Sequence, residues 1–453
     1  MTASIEQQPN GLLRGSFPLL LVFLFSIFSA AMEIIPGIGK LRPQLILAAF
    51  GLLAVFATGQ FMKVLATPIG KCIAIFTLWF MACIPFGLWP GGSFSILTEQ
   101  WYKAALIFLL TAGLLTTLPQ ANQVFRAIAY AIGLLGVLVL LKNDRAGDGR
   151  LILKDTRYAN ANDLAWTLLV GLAFIGFLYL RGNRWQRIVA VLMVPPILLT
   201  LSRTGSRAGA LGAVVLFIVM LSQAKRATRS RLLAGIPVIF LALVVLLPRD
   251  ILVRYTTFFG SYNYYRSFED PTEKLRKGTI ESTEARKQLL IDSIFVTLKH
   301  PLLGVGPGNF MVEQDVMAHA RGEERGAWKV THNTYTQLSS EMGLPGLIIY
   351  SALLYNVFLV LNPIVRSRNP SPQWVDLRQL ARSLRAAFIV YLPVAFFCSL
   401  GYGTDLPILA GITTALGFMA QKQRSIDRAA SAPVVADETL LEPGLEPVAV
   451  GRY

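Results

Sequence analysis

Twelve apolar runs divide this chain, at about 17–33, 42–58, 70–89, 103–118, 124–142, 161–180, 186–202, 207–222, 233–248, 344–361, 384–400 and 405–420. A helix needs roughly 20 apolar residues, or about 17 at the short end, to cross the hydrocarbon core of a bilayer. Lipid offers no partner for backbone N–H and C=O groups, so spanning segments of this kind fold as helices. The composition agrees: 54% of the 453 residues are hydrophobic and 15% are charged. Soluble domains carry about 25% charged residues. A soluble enzyme, a disordered chain and a disulfide-stapled secreted domain are thereby excluded. Cys72, Cys83 and Cys398 all sit inside apolar runs and read as small buried hydrophobes. The first run lacks a small-residue cleavage site and is followed by eleven more, so it reads as a span.

The expected fold is therefore all-α, a polytopic membrane protein of about 12 transmembrane helices. Its divisions are a cytoplasmic N-terminus at 1–16, helices one to nine at 17–248, a large outer loop at 249–331, an outer helix and helices ten to twelve at 332–420, and a disordered cytoplasmic tail at 421–453. With the N-terminus inside, Lys and Arg beside the spans number 19 on the inner side against 10 on the outer. That bias predicts both termini in the cytoplasm. The net charge of +16 is then a topology signal and not a nucleic-acid footprint. The 249–331 loop holds 12 basic and 11 acidic residues, and long loops translocate regardless of charge. Within it, apolar residues at 289, 290, 294, 295 and 298 form a helical stripe, ended by Pro301, that suits a membrane surface. No acidic residue falls mid-span; Glu33, Glu99, Asp163 and Asp405 lie near span ends. Ion-coupled pumps keep ionisable groups in the membrane interior, so the pattern argues against one.

Three outward-facing places carry chemistry. The turn around Ser202-Arg203-Thr204-Gly205-Ser206-Arg207 puts two arginines on the outer side, against the overall bias. Ser206 can cap the next helix, whose N-terminus favours an anion, and arginine grips phosphate with two parallel bonds. Snorkelling to lipid headgroups would use the same residues. The second place is Arg286 to Phe310, where Gly304, Gly306 and Gly308 alternate. That spacing suits a phosphate-cradling loop or a simple tight turn. No Lys-Ser/Thr follows, so it is not a Walker loop. His300 closes the preceding helix, and His319 has no supporting pattern. Glu313-Gln314-Asp315 is the nearest imitation of a metal-binding Asp-x-Asp.

The third place is a polar helical stretch beginning at His332 and broken at Gly343-Leu344-Pro345-Gly346. His332 stands at the mouth of a span, where a neutral imidazole can accept a proton near neutral pH. On one continuous helix Glu341 would face away from His332 and towards Gln337.

His332-Asn333-x-Tyr335-x-Gln337-x-x-x-Glu341-x-Gly343-x-Pro345-Gly346 resembles the signature of the O-antigen ligase and polymerase superfamily. The stretch from Arg286 through His300-Pro301-Leu302-Leu303-Gly304-Val305-Gly306-x-Gly308-x-Phe310, the turn Ser206-Arg207-x-Gly209, and Asn160-Ala161-Asn162-Asp163 are similar to further family motifs. The resemblance covers roughly 160–350. It implies a GT-C-like, metal-independent glycosyltransferase without cofactor, acting on the periplasmic face of the bacterial inner membrane. The implied donor is an undecaprenyl-diphosphate-linked glycan. The acceptor is a lipid A-core sugar in ligases or another lipid-linked glycan in polymerases.

By the same resemblance His332 is the catalytic residue, and Arg207 and Arg286 bind the diphosphate. Arg203 joins them on charge and position alone. Asn333, Gln337, Glu341, Gly304, Gly306 and Gly308 are supporting residues. Polymerases of this superfamily tend to have two sizeable outer loops. Here the segment about 142–160 is short, which favours a ligase. A flippase without chemistry is the alternative of another class; it needs a polar path through the spans, which the sequence does not provide.

Overall fold

The computed structural model describes residues 11–431 apart from 36, 249–250, 253–254, 256–270, 323, 325 and 327. Its main helices are α1 (Gly11–Ser29), α2 (Pro43–Ala57), α3 (Pro68–Cys83), α4 (Tyr102–Leu114), α5 (Leu118–Lys142), α6 (Ala161–Arg181), α7 (Arg184–Arg203), α8 (Arg207–Gln223), α9 (Arg226–Leu246), α10 (Pro271–Lys299), α11 (Phe310–Ala320), α12 (Thr334–Arg366), α13 (Pro372–Ala395) and α14 (Asp405–Ser431). Among the described residues no strand forms; the nearest is an isolated bridge between Arg145 and Leu151. Every apolar run falls on a helix. The starts follow from local chemistry. The Thr117 and Asn183 side chains cap α5 and α7, and Gln120 and Gln186 reach back to complete capping boxes. The Thr67 side chain accepts from Gly70 N at the start of α3.

Six helices among the described residues are long and apolar enough to cross a membrane: α1, α3 with its extension to Phe86, α5, α6, α7 and α12. The α2 and α8 helices are apolar but shorter. α4 has 13 residues, and α13 opens with the charged stretch Asp376 to Arg385. Length and composition thus support a multi-pass membrane protein, with six of the described helices meeting both criteria.

α12 packs on α3 and α13, α14 on α4, α1 on α5, α8 on α13, and α6 between α5, α7 and α13. Trp101, Trp166, Tyr350, Tyr391, Phe76, Phe80 and Phe125 fill the interior. Phe50 and Leu53 on α2, Leu192 on α7 and Ile218 on α8 stay exposed. Apolar surface of that extent is a liability in water and is covered by acyl chains in a bilayer.

Helix ends sort into two sets. At one, the Arg157 backbone N–H donates to Glu33 Oε2 (2.9 Å) while its guanidinium pairs with Asp405. There the Tyr158 hydroxyl donates to the Ile27 carbonyl (3.1 Å). The 143–160 segment therefore ties together the ends of α1, α6 and α14. At the other, Arg181 pairs with Asp376, and Trp374 Nε1 donates to Asp427 Oδ2 (2.7 Å). The last contact corrects the reading of 421–453 as tail: α14 continues to Ser431, because Asp427 anchors its end to α13. Residues 432–453 lie outside the described residues.

In the 249–331 segment, α10 ends at Lys299, just before Pro301. One face, with Leu289, Ser293, Val296 and Thr297, is buried, and Thr297 Oγ1 bonds Ser339 Oγ of α12 at 2.8 Å. The stripe residues Ile294, Phe295 and Leu298 point outward and remain exposed.

Candidate functional site

The turn between α7 and α8 is built by three side chains. Ser206 Oγ accepts Gly209 N at 3.1 Å, capping α8, and donates to Asn162 Oδ1 at 2.8 Å. Arg150 Nη2 donates to the same oxygen at 2.7 Å, and its Nε donates to the Thr204 carbonyl, also at 2.7 Å. Gly205 supplies the positive φ of 57° that the reversal needs. Arg207 is thus fixed as the first residue of α8 and is half-buried. A cation in a first helical turn opposes the helix dipole by about 0.3–1 kcal/mol. Its placement there suits an anionic partner. Arg203, in the last turn of α7, reaches Asn143 Oδ1 at 3.5 Å, the outer limit of a hydrogen bond.

His332 precedes α12 rather than lying on it. Asn333 is the N-cap; its Oδ1 accepts Tyr335 N (2.9 Å) and Thr336 N (3.1 Å). His332 has φ 53°, a left-handed conformation that an L-residue enters at a cost of roughly 1–2 kcal/mol. Two neighbours hold it there. The Thr331 hydroxyl donates to the Asn333 carbonyl at 2.9 Å, and the Thr334 hydroxyl, donating to the Cys398 carbonyl at 2.6 Å, ties the next residue to the α13–α14 loop. Burial, and then the positive charges of Arg286, Lys329 and Arg150, push the imidazole down to about 4. It is neutral at physiological pH, in a field made positive by cations from three separate segments.

Glu341 does different work. Its Oε2 accepts the backbone N–H of Gly308 (2.9 Å) and the Tyr402 hydroxyl (2.7 Å), and Gln337 on the preceding turn bonds it as well. The expected pairing with Gln337 is there. The helical-wheel argument relating it to His332 does not apply, because His332 lies outside the helix.

The alternating glycines form a strut. Gly304, Gly306 and Gly308 have φ of 67°, 97° and 76°. Their N–H groups donate to the His300 carbonyl, the Glu341 carbonyl and Glu341 Oε2, at 3.1, 2.9 and 2.9 Å. Those donors are spent inside the protein, so the tight-turn alternative describes this loop and the phosphate cradle does not. A Cβ on Gly304 would stand 2.3 Å from the Glu341 carbonyl carbon. α12 breaks at Gly343 (φ 71°, ψ −179°), and Leu344 N donates to the Pro301 carbonyl at 2.8 Å. Break and loop lock together and hold the His332 segment against α10.

The remaining candidates are placed elsewhere. Glu313 pairs with Lys299 (2.8 Å), while Asp315 Oδ1 accepts Gly326 N and Trp328 Nε1. His319 is exposed, with Nδ1 on the Asp315 carbonyl. His300 Nε2 is buried with no hydrogen-bond partner among the described residues. Arg150 and Lys329 were not singled out in the sequence. Arg150 had a visible signal, a cation in a short outer segment against the charge bias. Lys329 had none.

Residues 188–351 match the family model described as O-antigen ligase. That match supports the O-antigen ligase and polymerase superfamily for this stretch of the chain. The matched part runs from α7 into α12 and contains Arg203, Arg207, Arg286 and His332; Arg150 precedes it. The superfamily comprises glycosyltransferase-like membrane enzymes, with lipid-linked glycans as the general substrate class. No curated protein matches the chain.

Proposed function

We propose that this protein is an O-antigen ligase-like, metal-independent glycosyltransferase. It moves a glycan from undecaprenyl diphosphate to a hydroxyl of a lipid A-core sugar at the periplasmic face of the bacterial inner membrane, with both termini in the cytoplasm. The observation that carries the reading is His332: an imidazole kept neutral by burial and by the positive charges of Arg286, Lys329 and Arg150, and held in an unusual backbone conformation. Outliers of this kind concentrate at functional sites.

His332 takes the proton of the acceptor hydroxyl. The freed oxygen attacks the anomeric carbon, a new glycosidic bond forms, and the bond from that carbon to the diphosphate oxygen breaks. The electron pair stays with the diphosphate, whose growing charge is met by Arg207 and Arg286. The surrounding cations make His332 a weak base when the site is empty. A bound diphosphate offsets their field and makes the imidazole more basic at the moment it is needed.

The short 143–160 segment favours a ligase over a polymerase, which would use the same residues on a second lipid-linked glycan. Replacing Arg207 and Arg286 by lysine tests the reading. Lysine keeps the charge and loses the planar fork, so both variants should lose most transfer activity. Full activity in folded Arg207→Lys and Arg286→Lys would reduce the arginines to anchors at the membrane surface.

A further inference from the structure

At the end of the bundle away from His332, the seam between α12 and α13 holds arginines for which no described residue supplies a counter-charge. Asn362 and Arg366 stand four apart on α12, and Arg382 and Arg385 three apart on α13, so each pair shares a helix face. Arg385 Nη1 donates to Asn362 Oδ1 at 3.3 Å, which brings the two faces together. The charges of Arg382 and Arg366 both act on Arg385. Its Nε is buried with no hydrogen-bond partner among the described residues. The acids at this end are engaged elsewhere: Asp376 pairs with Arg181, and Asp427 accepts from Trp374, Asn369 and Gln423. Arg378, one turn before Arg382, shows the satisfied alternative, donating to the Ser367 and Asn369 carbonyls at 2.9 and 2.6 Å. Buried N–H groups are ordinarily satisfied, so an orphan one among like charges points to an anion.

We infer that this seam binds the headgroup phosphate of an anionic phospholipid. Depth and shape both fit. Asn362 lies nineteen residues beyond the helix break at Gly343, which is about 28 Å of helix. The hydrocarbon core of a bilayer is about 30 Å thick. With the His332 end at one face of the membrane, the arginines stand at the level of the lipid phosphates on the other. Tyr355 and Leu359 precede Asn362 and Arg366 on the same row of α12, at steps of four, three and four. Both are exposed, at 65% and 51%. An acyl chain below a phosphate held at the seam runs along that row, whereas a free phosphate makes no use of it. Basic pockets between membrane helices bind anionic headgroups, and guanidinium planes grip phosphate with parallel N–H bonds. The site stands apart from the proposed transfer reaction; only its assignment to the cytoplasmic leaflet rests on the proposed orientation.

The test is native mass spectrometry of the full chain in detergent, with dioleoylphosphatidylglycerol and dioleoylphosphatidylcholine as probes. The two lipids share their chains and differ in headgroup charge, and the wild type should retain the first over the second. Retention should fall about five-fold in Arg382→Gln and in Arg385→Gln, the loss expected for one cation near an anionic surface. Arg184→Gln removes an exposed arginine at the same end of the bundle and should leave retention unchanged. Equal losses in all three variants would reduce the seam to general interfacial attraction and overturn the site, as would equal retention of both lipids by the wild type. Thermal unfolding distinguishes the source of the phosphate. Phosphatidylglycerol should raise the melting temperature of the wild type and barely move that of Arg382→Gln or Arg385→Gln. An equal rise with inorganic phosphate would assign the seam to a free anion and contradict the lipid. Arg382 acts on Arg385 by repulsion, so Arg382→Gln should melt no earlier than the wild type in lipid-free detergent. Earlier melting there would make the arginine a part of the fold itself and contradict the site.

Discussion

Arg150 Nη2 donates to Asn162 Oδ1 at 2.7 Å, and that contact ties the short 143–160 segment to the start of α6. Because Ser206 shares the same oxygen, one amide sets the geometry of the turn that presents Arg207. Removing it in Asn162→Ala leaves a buried guanidinium and a buried hydroxyl each short of an acceptor. A buried group left unsatisfied costs about 1–3 kcal/mol. The variant should melt earlier and show a raised donor KM, with kcat less affected than in a His332 variant. Thermal unfolding and steady-state kinetics check this; unchanged stability and KM would remove Asn162 from any positioning role.

The glycine loop separates two accounts by its failure mode. In Gly306→Ala the new Cβ would lie 2.6 Å from Gly87 Cα, at a φ of 97°. Backbone cannot yield as a flexible side chain does, so the variant should fold poorly and yield little monodisperse protein. A well-folded Gly306→Ala protein that fails only to bind diphosphate would instead restore a phosphate-binding role to the loop.

kcat/KM should be nearly flat with pH from about 5.5 to 8. His332 has its pKa lowered from 6.5 to about 4, so the neutral base is lost only as pH falls through the lower value. The acid limb of kcat/KM reports the free enzyme and should fall near pH 4, while that of kcat reports the complex and should lie higher, because bound diphosphate offsets the cations. Arg286→Gln removes one depressing charge and should move the free-enzyme limb upward in whatever activity remains. The same shift bears on stability. Between about pH 6.5 and 4 the unfolded chain binds a proton that the folded imidazole resists, so acidification through that window destabilises the fold. An acid limb of kcat/KM at 6.5 would contradict this environment.

Transfer should persist in excess chelator, since arginines rather than a divalent cation are proposed to hold the diphosphate. Loss of activity restored by added Mg²⁺ would overturn that proposal.

The fold class was legible in the sequence because lipid leaves a chain few options; the caps at Thr67, Thr117 and Asn183 were not read from it. The break at Gly343 was visible as Gly-Leu-Pro-Gly, and Ser206 was correctly read as a cap. The position of His332 was not. Whether a residue is the first of a helix or the last before it depends on which side chain caps, and Asn333 takes that role. The company of His332 was also hidden. Lys329 and Arg150 add their charge to its surroundings from segments nearly 180 residues apart in the chain, through folding that no local pattern encodes. The glycines misled for a related reason: their spacing reports positive φ, but not whether the donors face a ligand or, as here, Glu341.

The most direct measurement is glycan transfer from an undecaprenyl-diphosphate donor by detergent-purified His332→Ala, normalised to monodisperse protein and paired with a donor-binding assay. Loss of a general base costs on the order of 10²–10⁴ in rate. The account predicts a fall of that size with donor binding nearly intact. A folded His332→Ala protein that turns over at the wild-type rate would contradict it.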